Sequence, residues 1–99
     1  MSRIGKIIKT VKTEFKPNEI CLDKLDTDSS FGYNIEFKYN NCTFSIGVTN
    51  DNRKVEDANY ISIVIFYRRS VYYNRIIEVR NKELKKFFHD LKLEIDWIK

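Results

Sequence analysis

The sequence predicts a single α+β domain over residues 1–99, ordered α-β-β-β-β-α, in which two helices pack on one face of a four-stranded antiparallel sheet. Three observations carry this expectation. Ile4, Ile7, Ile8, Val11 and Phe15 repeat with a helical period near the N-terminus, and Leu84, Phe87, Phe88, Leu91, Ile95 and Ile98 do so near the C-terminus. Between them, from Phe31 to Val48, the apolar period falls to two. A chain of 99 residues and 11.9 kDa then has room for one such core, since folding at this mass hides roughly two-thirds of the extended chain's surface.

The first helix is expected over residues 3 to 16, with Ser2 at its start, Pro17 at its end and Lys6, Lys9, Lys12 and Lys16 turned away from the apolar stripe. Residues 17 to 30 read as a connection, because Asp23, Asp26, Asp28, Ser29 and Ser30 are turn formers; Ile20, Leu22 and Leu25 tuck part of it onto the core. Phe31, Tyr33, Ile35, Phe37 and Tyr39 alternate with polar residues, and the parity resumes after Asn40-Asn41 in Cys42, Phe44, Ile46 and Val48. A two-residue turn at Asn40-Asn41 would pair Tyr39 with Cys42 and Phe37 with Phe44, so that every apolar side chain shares one face. Residues 50 to 59 form a long polar loop. The third strand, Tyr60 to Tyr67, has Ile61, Ile63 and Ile65 on one face and Val64 and Phe66 on the other, which predicts a strand covered twice, or covered once beside an interface. Residues 71 to 80 are β-formers and favour a fourth strand turning at Arg69-Ser70; an early helix start is the alternative. The last helix is expected over 82 to 97, capped by Asn81.

Composition narrows the function classes. No apolar run approaches 18 residues, so no spanning helix is expected, and the charged N-terminus does not read as a secretory signal, which predicts an intracellular, cytoplasmic setting. The formal net charge is only +4. Its basic excess lies in the first helix and around Arg68, Arg69, Arg75 and Arg80, where phosphates or an acidic protein could be attracted. The chain holds 13 Ile, 12 Lys and 9 Asn against a single Ala, a coding bias of AT-rich genomes such as those of low-GC bacteria and their phages.

The chemistry-bearing residues are sparse. One histidine, His89, falls on the polar side of the last helix near Lys85 and Asp96, so a surface role is expected and no Ser-His-Asp arrangement can be assembled. Cys21 and Cys42 lack C-x-x-C spacing, which argues against zinc and predicts a buried, reduced Cys42. Asp26 to Ser30 begins like a calcium loop but has Phe31 where the sharp turn needs Gly and Phe37 where the bidentate Glu belongs. Glu36-Phe37-Lys38 has the spacing of a nuclease E-x-K element. The same spacing recurs at Glu14-Phe15-Lys16 and Glu83-Leu84-Lys85, so it carries no weight. Neither phosphate-binding glycine loop is present. The sequence therefore predicts a protein that is not an enzyme and needs no metal or cofactor.

Phe31-Gly32-Tyr33 looks like the aromatic core of RNA-recognition domains, but Asn34 and Glu36 break that pattern and the βαββαβ order is missing. The order helix, sheet, helix is similar to a double-stranded-RNA-binding domain, and this resemblance implies that Lys82, Lys85 and Lys86 would contact phosphates. It departs from that pattern at residues 71 to 80.

Two binding classes follow. A protein-binding module would use Leu93 and Trp97, which lie at i and i+4 on a second face of the last helix, together with Tyr67, Tyr72 and Tyr73. A nucleic-acid binder would use Lys6, Lys9, Lys12 and Lys16, or Arg68, Arg69 and Arg75. The first class is preferred because the net charge is small and apolar residues recur on second faces. By analogy with compact proteins of phage-like genomes, its partner would be a host enzyme or nucleoprotein complex, such as a nuclease or defence component, which it obstructs. A homodimer is also open, and no membrane partner is expected.

Overall fold

The computed structural model describes residues 3–24, 32–48 and 59–97. Helix α1 (Arg3–Phe15) precedes strands β1 (Ile20–Lys24), β2 (Tyr33–Tyr39), β3 (Cys42–Val48), β4 (Tyr60–Tyr67) and β5 (Ser70–Glu78); a 3-10 turn (Asn81–Glu83) then leads into helix α2 (Leu84–Asp96). All strands join one antiparallel sheet in the order β1-β2-β3-β4-β5. The domain is α+β as expected, but the sheet has five strands rather than four.

The added strand lies in the segment expected to be a connection. Ile20 to Lys24 pairs residue by residue with Phe37 to Tyr33, yet only Ile20 is even partly buried. Backbone pairing to β2, rather than an apolar face of its own, holds it in place, so its side chains carried no period to read. The β2–β3 hairpin has the expected register, with Tyr39 opposite Cys42, Phe37 opposite Phe44 and Ile35 opposite Ile46. Asn40 and Asn41 take φ of 50° and 64°, the left-handed pair that a two-residue turn between twisted strands requires.

Residues 70 to 78 are a strand, and the early helix start is excluded. The turn before it is Arg68-Arg69, with φ of 50° and 68°, not Arg69-Ser70. The ladder between β4 and β5 slips between Ile65 and Phe66: Tyr73 stands opposite Ile65 but Val71 opposite Phe66, leaving Tyr72 as the additional residue of a bulge.

Core residues come from one face of the sheet and one stripe of each helix. Ile35, Phe44, Ile46, Val48, Ile61, Ile63 and Ile65 meet Ile7, Val11, Phe88 and Ile95, all fully buried. Phe15 is the junction, its ring 5.1 to 5.2 Å from those of Phe37, Tyr39 and Phe44 and 6.4 Å from Phe88.

The helix ends differ from expectation by a residue or two. α1 stops at Phe15 because Lys16 turns left-handed (φ 47°) ahead of Pro17. At α2, Glu83 rather than Asn81 satisfies the leading backbone: Glu83 Oε1 accepts from Arg80 N at 3.2 Å. Asn81 is occupied elsewhere, its Oδ1 accepting from Arg3 Nη1 at 2.7 Å. Arg3 also donates to the carbonyls of Val79 and Asn59. This buried guanidinium, whose pKa desolvation lowers, ties the start of α1 to both ends of the β4–β5 hairpin. The expectations for Ser2, Leu25, Asp26 to Phe31, Ile98 and most of the 50 to 59 loop concern positions outside the described residues.

Candidate functional site

The β2–β3 turn and the β4–β5 turn lie at the same end of the sheet, because Cys42 pairs with both Tyr39 and Tyr67. The last turn of α2 is fastened to that end by three contacts. Tyr39 Oη donates to Asp96 Oδ1 at 2.6 Å, and Asn40 Nδ2 donates to the Ile95 carbonyl at 3.0 Å. A third contact is electrostatic, between Glu94 and the Tyr72 hydroxyl. Burial first, then Asp96, pushes the Tyr39 hydroxyl up to about 12. Burial and then Glu94 also hold Tyr72 above its ordinary value.

This fastening places the C-terminal end of α2 beside the arginine turn. Trp97 is 87% exposed and Leu93 49%; at 100° per residue both lie opposite the stripe of Leu84, Phe88, Leu91 and Ile95. Tyr72 is partly exposed alongside, carried to the helix side by the bulge. The Arg68 guanidinium stacks over Tyr67 at 5.2 Å from the ring centroid. Trp, Tyr and Arg are the side chains that dominate interface energies: Trp and Tyr bring large area for two torsions, and Arg brings a planar fork of donors. Tyr67 and Tyr73 are both partly buried against the core, and Tyr73 has Arg75 over its ring at 5.4 Å.

The basic residues do not form one patch. Lys6, Lys9 and Lys12 are exposed on α1 and Lys16 just after it, and Lys12 lines a groove with Ile8, Ile20 and Leu22 at the β1 edge. Arg68, Arg69 and Arg75 belong to the β4–β5 hairpin, at the opposite edge. Lys82, Lys85 and Lys86 lie exposed at the start of α2.

Elsewhere the surface offers little chemistry. His89 is half exposed, and its Nδ1 lies 3.1 Å from Glu14 Oε2, a partner on α1 that the sequence did not reveal. A groove of about 560 Å³ on the uncovered sheet face is lined by Asn18, Glu19, Cys21, Glu36, Phe37, Lys38 and Thr43. Among the described residues no group of three or more His, Cys, Asp or Glu could hold a metal ion. No helix among them is long and apolar enough to cross a membrane. Cys42 is a buried free thiol with its pKa raised by desolvation, while Cys21 is exposed.

Leu93, Trp97, Tyr67, Tyr72 and Tyr73 were singled out in the sequence by residue type and spacing alone. The bonds that fasten α2 to the sheet, Tyr39–Asp96 and Asn40–Ile95, left no local signal in the sequence, since they join residues 57 and 55 positions apart. No protein-family model matches the chain, and neither a curated protein nor a solved structure is significantly similar to it.

Proposed function

We propose that this protein is a non-enzymatic protein-binding module that docks through the end of the domain where α2 meets the arginine turn. One observation carries the reading: Trp97 and Leu93 are exposed at the end of α2 that hydrogen bonds from Tyr39 and Asn40 fasten to the end of the sheet carrying Tyr67 and Arg68. A rigid, exposed group of this composition presents area without paying much ordering entropy on binding. The partner it fits has an apolar pocket for Trp97 beside an acidic rim facing Arg68 and Arg69. An inhibitor that obstructs a host enzyme of an AT-rich bacterium, such as a nuclease or defence component, is the form this reading takes at its most specific. It rests on coding bias and size alone.

The second reading, nucleic-acid binding, is weakened because Lys12 lines the β1 edge while Arg68, Arg69 and Arg75 belong to the β4–β5 hairpin at the other edge of the sheet. The test is affinity capture from a low-GC bacterial lysate treated with nuclease, using the wild type and Trp97→Ala. A stoichiometric protein retained by the wild type and lost with Trp97→Ala is the expected result. Recovery of nucleic acid alone from an untreated lysate, abolished by charge reversal of Lys9 and Arg68, would replace this reading with the second.

A further inference from the structure

We infer that the outer edge of β5 pairs with the β5 of a second copy of this chain, joining two five-stranded sheets into one across a two-fold axis. The inference is independent of the function proposed above, since it uses the strand's edge rather than the α2 end. The two edges of the sheet are built differently. β1 is five residues long and ends in Asp23 and Lys24, the short, charged form by which native sheets discourage edge pairing. β5 is the longest strand, nine residues without proline, and no described strand pairs with its outer side. Val71, opposite Phe66, and Ile76, opposite Ser62, are 56% and 62% exposed on the uncovered face.

The residues of β5 complement themselves in one register. Antiparallel pairing of the full strand centres on its midpoint, Asn74, whose amide can both donate to and accept from its own copy. Tyr73 then faces the second copy's Arg75, extending the stacking already present within one chain. Past the bulge at Tyr72, Val71 faces Ile76 and Ser70 faces Ile77, which brings the Arg68-Arg69 turn next to Glu78 so that each end of the junction joins opposite charges. Glu78 is free to turn: it is half exposed and its Arg80 contact is a loose 3.6 Å. The register centred one residue later would set Arg75 against Arg75 and is disfavoured by like charge.

Sedimentation equilibrium of the full chain across a wide concentration range tests this. The wild type is expected to dimerise reversibly, Glu78→Arg to weaken the dimer about tenfold, and Arg69→Glu with Glu78→Arg to restore it. Ile76→Lys, which touches no core residue, should also yield a monomer with an unchanged circular dichroism spectrum. A wild type that stays monomeric throughout, a dimer indifferent to Ile76→Lys, or a charge swap that fails to restore association would each overturn the inference.

Discussion

Tyr39 shows how a single side chain can report on the brace between α2 and the sheet. Its hydroxyl donates to Asp96, and in the folded state its pKa is raised to about 12 from an ordinary 10. The folded protein therefore holds this proton more tightly than the unfolded chain does. The stabilisation is fully present below about pH 10 and is lost as pH rises through 12. Tyr39→Phe is expected to cost about 0.5–1.5 kcal/mol at neutral pH, and to flatten the fall in stability between pH 10 and 12 in urea titrations monitored by circular dichroism. The identity of such a residue was legible in part. Tyr39 falls on the inward parity of its strand, and that much the sequence showed. Asp96 as its partner was not legible, because the pair closes 57 positions of chain. Arg3 was hidden differently. It continues the i+4 series of Ile7, Val11 and Phe15, but a positive charge on a buried stripe is read as solvent-facing unless its acceptors, here backbone carbonyls, are known.

At the scale of elements, the strands with a buried face were readable and the one without was not. β2, β3 and β4 each alternate because one side meets the helices, and a slip of one residue would expose all of it. β1 has no such face, and its strand state is imposed by β2. The two hairpin turns make a second contrast. Asn40-Asn41 suits positive φ at both positions, whereas Arg68-Arg69 adopts the same geometry with side chains that disfavour it. Replacing the pair with Asn-Gly is expected to stabilise the domain by about 1 kcal/mol, read as a rise of roughly 4–8 °C in Tm by calorimetry. If the proposed docking end is correct, the same variant binds its partner more weakly while folding better, which is the usual sign of residues kept for contact rather than for stability.

The whole molecule is a meander whose two helices lie on one face, with a Cα radius of gyration of 12.9 Å, near the value of about 13 Å for a compact domain of 100 residues. Each strand neighbours the next in sequence, so the β2–β3 and β4–β5 hairpins can each zip from a two-residue turn before the longer connections close. The Arg3 tether is the opposite case: its bond to Val79 spans 76 positions, and its bond to Asn81 spans 78. On a folding path this clasp can shut only after the hairpins exist, which makes it a late event that governs escape from the native state rather than arrival. Arg3→Met, which takes the guanidinium donor from the Val79 carbonyl and from Asn81 Oδ1, should cost about 2 kcal/mol. In stopped-flow chevrons almost all of that loss is expected in an unfolding rate raised about thirtyfold, with the refolding limb nearly unmoved. A refolding limb slowed by the same factor would place the clasp in the nucleus instead. The lifetime of the folded protein, as distinct from its ease of forming, thus rests on one arginine at the very start of the chain.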